Sequence, residues 1–189
     1  ERTPANGVER QIAPGAVRST FARCRKLDLR ALSRHAVATP RKTPTGIAGF
    51  DEITGGGLPQ GRTTLLTGGP GSGKTIFALQ FLVHGARECG EPGIFVAFEE
   101  TSGRIVTNAE TFGWKLTELQ PKTLMFLDAQ PLPDLVQSGD FDLGGMLAAL
   151  EAQICTMGAR RIVFDALDMV IALLPDAAAQ RREIYRLHE

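Results

Sequence analysis

Gly68-Gly69-Pro70-Gly71-Ser72-Gly73-Lys74-Thr75 fits a phosphate-binding pattern: a glycine, four free positions, then Gly-Lys-Thr. It follows the apolar run Thr63 to Thr67, read as a first strand, and opens a stretch read as a helix, Lys74 to Cys89. Glycines let the backbone curl until several N–H groups face one anion, a conformation that side chains would obstruct. Lys74 can then reach the outer phosphates of a nucleotide, and Thr75 offers a hydroxyl to Mg²⁺. The helix aims the positive end of its dipole at the phosphates. The bland alternative, a glycine-rich turn between strand and helix, is set aside because the whole pattern sits in the strand–loop–helix context that phosphate binding requires.

Outward from the octet, alternating apolar strands and amphipathic helices describe an α/β domain with a mostly parallel sheet flanked by helices. Gly55 to Gly61 is a tight loop leading into the first strand. Gly93 to Phe98 reads as a second, buried strand ending in Glu99-Glu100. Ser102 is the expected N-cap of a helix reaching about Phe112. Thr123 to Leu127 is a third strand, Gln130 to Gly139 a surface loop, Leu143 to Met157 a helix, and Arg160 to Asp165 the fourth strand. A last helix covers Ala177 to Glu189.

The head of the chain differs from this body. Ten of the 21 basic residues lie before Thr45, against only Glu1, Glu9 and Asp28 among the acids, so a formal charge of zero hides a basic head and an acidic body. Residues 1–44 read as a basic, largely disordered leader with a short helix over Ser19 to His35, and 45–189 as the folded domain. An Arg-rich head raises nucleic-acid binding or organellar transit. No aromatic residues interleave with the charges as stacking platforms, which favours a plain leader. With 189 residues and 43% hydrophobic content, one substantial core is expected. No apolar run approaches the roughly 20 residues that span a bilayer. Cys24, Cys89 and Cys155 lack metal-ligand spacing, and reduced thiols in a cytoplasmic compartment are the default.

Hydrolysis of a nucleoside triphosphate needs a phosphate cradle, a held metal ion and a group that orients or deprotonates water. Asp165, at the carboxyl end of an apolar strand, stands where a Walker B acid belongs and would hold Mg²⁺ through Thr75 or a bound water. Glu99 and Glu100 end a neighbouring strand, and ligands of open α/β sheets sit beyond such ends. Adjacent strand residues alternate faces, so Glu99 is taken as general base, with Glu100 supporting it or the metal. The alternative is an acid pair that complements the dipole of the next helix. Arg104, Arg160 and Arg161 could contact phosphate or an interface, but surface arginines are usually solvated, and that is their expected state. Trp114 is expected to anchor a helix end. Asp128, Asp168 and His84 are left to packing, capping or solvation.

Gly49-Phe50-Asp51-Glu52-Ile53, Gly56-Gly57-Leu58-Pro59-Gln60-Gly61-Arg62, the octet, Gln80-Phe81-Leu82, Glu91-Pro92-Gly93, Phe98-Glu99-Glu100-Thr101 and Phe112-Gly113-Trp114 together resemble a KaiC-like domain of the RecA-like P-loop ATPase superfamily. The likeness spans about Thr45 to Glu189. It implies ATP and Mg²⁺ as cofactors, hydrolysis that drives a conformational switch read by clock or signalling partners, and hexameric rings with nucleotide held between subunits. By motif, Gly69, Pro70, Gly71, Ser72, Gly73, Lys74, Thr75 and Ile76 would line the phosphates and Thr75 would touch Mg²⁺. Lys74, Glu99 and Glu100 would be catalytic, and Asp165 would be the metal-holding acid. Ala166 and Leu167 depart from the family, in which a hydroxyl residue often follows the acid.

The family core carries further strands beyond the last helix, one of them between the Walker A and Walker B strands. The chain begins with Glu1 and stops after that helix, so a partial, C-terminally incomplete domain is expected, with unpaired strand edges as its liability. Alternatives within the same fold are a RecA- or RadA-like DNA-dependent recombination ATPase, a kinase phosphorylating its own serines and threonines, and a nucleotide-binding fragment without turnover. The acidic body offers no obvious groove for nucleic acid.

Overall fold

The structure, a computed structural model, describes residues 40–131 and 143–188. The basic leader up to residue 39, its Ser19 to His35 helix and most of the Gln130 to Gly139 loop lie outside the described residues.

The first regular element starts three residues before Thr45. β1 (Lys42–Thr43) and α1 (Phe50–Ile53) precede β2 (Leu58–Pro59), which pairs antiparallel with β1, Thr43 opposite Leu58. Lys42 Nζ donates to Thr54 O at 2.9 Å. The Asp51 carboxylate accepts from Thr45 N at 3.0 Å, Thr45 Oγ1 at 2.8 Å and Gly46 N at 2.9 Å. Burial pushes the Asp51 carboxyl up, but these donors, with His84 nearby, outweigh it and hold the group below the usual carboxylate value. Gly57, at φ 107°, has the Thr43 and Pro44 backbone where a side chain would stand.

α2 (Lys74–His84) runs on as a π-helical turn, Gly85–Cys89, and ends on left-handed Gly90, so helical structure covers the whole expected stretch. β3 (Gly93–Ala97), α3 (Ser102–Ala109) with a 3₁₀ turn at Glu110–Phe112, α4 (Leu116–Leu119), β4 (Leu124–Asp128), α5 (Gly144–Met157), β5 (Arg161–Asp165), α6 (Leu167–Ile171) and α7 (Ala177–His188) complete the order. The three longer strands form a parallel sheet in the order β4-β3-β5, Ala97 lying opposite both Asp128 and Asp165.

Strand alternation divides the core into two layers. Phe95 and Ala97 pack with Leu79, Leu82 and Val83 of α2, Ile105 and Ala109 of α3 and Leu116 of α4. Ile94, Val96 and Phe98 pack with Leu143, Leu150 of α5 and Val170 of α6. β3 is covered on both faces, which explains why it reads as a continuous apolar run. Trp114 packs against the first layer and stacks on Phe112 at 4.8 Å, and its carbonyl accepts from Arg87, the expected helix-end anchor.

The strand expected at Thr63 to Thr67 is not formed. Residues 63–69 carry no regular structure, and Leu65 is 80% exposed. A strand exists only through a ladder to a neighbour, and among the described residues no strand pairs with this segment; β5 pairs with β3 alone and its outer edge carries no ladder. Thr63 Oγ1 instead lies 2.7 Å from His188 Nδ1 at the end of α7.

Candidate functional site

The octet forms an exposed loop on the first turn of α2. Gly71 (φ 73°) and Gly73 (φ 85°) adopt the left-handed conformation, the alternation from which concave anion-binding nests of N–H groups are built. At Gly68 an added Cβ would crowd the Ser72 hydroxyl, which would have to turn away. Ser72 N donates to Gly69 O at 3.2 Å across the turn. Gly73 caps α2, which points the free N–H groups and positive dipole end of its first turn at the loop.

Lys74 arches back over this loop, its ammonium donating to Gly68 O at 2.8 Å and Gly69 O at 3.1 Å. Two of its three N–H donors are thereby engaged, and the charge is held at the loop. Thr75 faces the sheet, and its Oγ1 donates to Asp165 Oδ2 at 2.7 Å. Residues 90 apart in the chain are thus brought together because α2 covers the face of β5 on which Arg161, Val163 and Asp165 alternate.

Glu99 and Glu100 lie just past the end of β3, two and three residues beyond the position level with Asp165. Glu99 is exposed. Glu100 Oε1 pairs with Arg104 Nε at 3.3 Å, one turn along. Among the described residues no hydrogen bond joins either glutamate to Lys74, Thr75 or Asp165, so the structure unites the cradle with the metal-type pair and leaves the glutamates beside them.

Ser102 is not the cap of α3. It is the first helical residue, and Asp128 at the end of β4 caps the helix, accepting from Ser102 N at 2.7 Å and Ser102 Oγ at 2.8 Å. A carboxylate serves a helix N-terminus better than a hydroxyl because its charge also meets the dipole. Arg161 departs furthest from expectation. It is buried, 2% exposed, and bonded to Glu91, Pro44 and Phe81 rather than to solvent. A basic residue opening an apolar strand looks like a surface flank, and only the fold shows the helix and the chain lying across it. Gln130 was also invisible to pattern: its Nε2 donates to Ala97 O at 3.1 Å and Glu100 O at 3.0 Å, pinning the loop that bears the two glutamates.

Comparison with known proteins gives a consistent picture. A family model described as "ATPase: KaiC" matches residues 43–189. The circadian clock oscillator protein KaiC of Thermostichus vulcanus is 47% identical over 152 residues, 79% of this chain and 29% of the relative. The protein of the same name from Prochlorococcus marinus strain MIT 9313 is 44% identical over 78% of this chain and 30% of its own length. Circadian clock protein KaiC2 of a Synechocystis strain is 42% identical over 77% of the chain and 26% of its own length. The chain therefore spans less than a third of the length of the curated relatives it matches.

Proposed function

The chain belongs to the KaiC ATPase family, and we propose that it binds ATP with Mg²⁺ at Gly68 to Thr75 and hydrolyses it. The observation that carries this reading is the 2.7 Å hydrogen bond from Thr75 to Asp165 at the mouth of a glycine-built anion loop. A threonine hydroxyl whose proton is directed at a carboxylate turns its lone pairs away from that carboxylate, toward a cation. The donors are all oxygen, as Mg²⁺ prefers, and they are few, which suits an ion completed by water and phosphate. When bound, the ion would neutralise charge on the transferring phosphoryl group.

The chain's own residues then divide the work. Gly69 to Ile76 hold the phosphates, and Lys74 turns its remaining donor to a phosphate oxygen. Thr75 and Asp165 hold the metal. Glu99, free of side-chain partners among the described residues, accepts the proton of the water that attacks phosphorus, with ADP as leaving group. Glu100 is engaged with Arg104 and supports the loop. The ATPase domain begins with β1 at Lys42, a few residues before Thr45, and the basic residues ahead of it act as a leader, in a cytoplasmic protein. A turnover-driven switch, ring assembly and clock or signalling partners belong to the same proposal, which membership of the family and the clock role in the relatives' names support.

The test compares wild type with Glu99→Gln and Asp165→Asn for ATP binding and turnover with and without Mg²⁺. Glu99→Gln should keep binding and lose turnover by about 100-fold or more, and Asp165→Asn should lose the Mg²⁺ response. Wild-type turnover in Glu99→Gln would remove Glu99 as base. Protein-bound phosphate after incubation with labelled ATP would favour the kinase instead. Mass measured with Mg·ATP reports assembly.

A further inference from the structure

α2 and β5 are tied to each other at both ends. The first turn of α2 meets the finish of β5 through Thr75 and Asp165. The far part of α2 meets the start of β5 through Arg161, whose Nη1 donates to Phe81 O at 2.7 Å and to Pro44 O at 2.8 Å. Arg161 Nε donates to Glu91 Oε2 at 2.7 Å, and Nη2 lies 2.7 Å from the same oxygen without a directed hydrogen bond of its own. The guanidinium stands 4.6 Å from the centre of the Phe81 ring. Gly85 gives it room, since a Cβ there would lie 2.5 Å from Arg161 Cδ and Nε.

A buried ion pair is a poor source of net stability, because desolvation offsets most of the attraction and an apolar side chain often serves as well. What a guanidinium adds is direction. Its planar, fixed donors fit one arrangement of acceptors, and a leucine would tolerate sliding that the fork does not. Arg161 and Asp165 are four residues apart on one strand and share a face, so a shift of α2 at Arg161 is a shift at Thr75.

We propose that Arg161 is a positioning residue for the metal seat: by fixing where α2 lies along β5, it sets the separation of Thr75 and Asp165. This rests on the reading that those two residues hold Mg²⁺. Arg161 touches neither nucleotide nor metal and acts through the helix.

The experiment uses the full chain and three variants, Arg161→Lys, Arg161→Met and Gly85→Ala, the last displacing the guanidinium without removing its charge. The readouts are binding of a fluorescent ADP analogue with and without Mg²⁺, and amide hydrogen exchange over residues 74–79 without nucleotide. Arg161→Lys and Gly85→Ala should bind the analogue without Mg²⁺ within about twofold of wild type and require about tenfold more Mg²⁺ for the half-maximal effect, on the scale of changes that misorient a metal ligand. Exchange at residues 77–79, where the hydrogen-bonded amides of α2 begin, should be faster in both. Arg161→Met should show the larger form of the same changes, and if it does not fold, the other two variants decide. Unchanged Mg²⁺ requirement and unchanged exchange at residues 74–79, with only a lower melting temperature, would reduce Arg161 to a stabilising residue and overturn the proposal. If wild type itself shows no Mg²⁺ response, the metal reading fails, and the exchange data still decide whether Arg161 holds the helix in place.

Discussion

Thr63 to Thr67 and Gly93 to Phe98 are both short apolar stretches that lead into loops of chemical interest, and they meet opposite fates. The second becomes β3 and its exit, with every residue from 93 to 98 buried and ladders on both sides. The first forms no ladder, with Leu65 at 80% and Leu66 at 43% exposure. Apolar content is the same kind of signal in both, so it does not decide the outcome. Partners do: backbone N–H and C=O groups can leave water only where a neighbouring strand takes them. β3 has β4 and β5, whereas the stretch before the octet has solvent. One region therefore carries stability and the other carries the candidate ligand chemistry, and substitutions should separate the two.

The largest effect is expected in β3. Phe95 is fully buried and packs against Phe126 with ring centroids 5.4 Å apart. Phe95→Ala should lower the unfolding free energy by about 3–5 kcal/mol, read from the denaturant midpoint, and a loss below about 1 kcal/mol would mean the central strand is not the core it looks to be. Lys74→Ala comes next and should show the opposite profile. Losing its charge-assisted contacts should weaken ATP binding by about 100-fold, measured by titration, while the midpoint stays near wild type because the side chain bonds only to exposed loop carbonyls. A large stability loss with binding retained would merge the two regions and break the contrast.

The same contrast explains what the sequence could show. The octet, Thr75 and the α/β alternation were legible because each is local: a glycine pattern, a helix start and a strand of apolar residues need only neighbours in the chain. β3, β4 and β5 were therefore placed to within a residue or two. The Thr75–Asp165 pair could be anticipated because motif spacing stands in for the fold. Arg161 was not, since its acceptors at Pro44, Phe81 and Glu91 come from three distant segments. Asp128 caps a helix, one of the roles its sequence left open, but the helix it caps starts 26 residues away and is not visible from the chain around it. The strand before the octet does not form because pairing is a property of two segments, and an apolar run reports on only one.

Asp51 gives an intermediate effect that can be followed by pH. It belongs to the structural side, fastening the turn at Thr45 and Gly46. Its folded value is depressed, so its contribution is present in full above the ordinary aspartate value, about 3.9, and is lost as pH falls through the folded value. Asp51→Asn should lower stability at neutral pH by about 1–2 kcal/mol. Between the ordinary value and the depressed one, the gap between wild type and variant should narrow as pH falls. A gap that stays constant through acid titration would show that the charge of Asp51 does not matter to the turn.

Leu65→Ser tests the exposed stretch itself and should do least. A leucine with 80% of its surface already in water has little transfer free energy to lose, so the denaturant midpoint should move by less than about 0.5 kcal/mol. Serine also leaves the backbone path into Gly68 free to form, and binding of the ADP analogue should be unchanged. The small number is informative because Leu65 carries the same kind of apolar side chain that, in a laddered and covered strand such as β3, would be buried. A loss of 2 kcal/mol or more would mean that residues 63–67 are covered in solution as β3 is. The difference between the two stretches would then lie in what surrounds the chain rather than in the chain's own sheet.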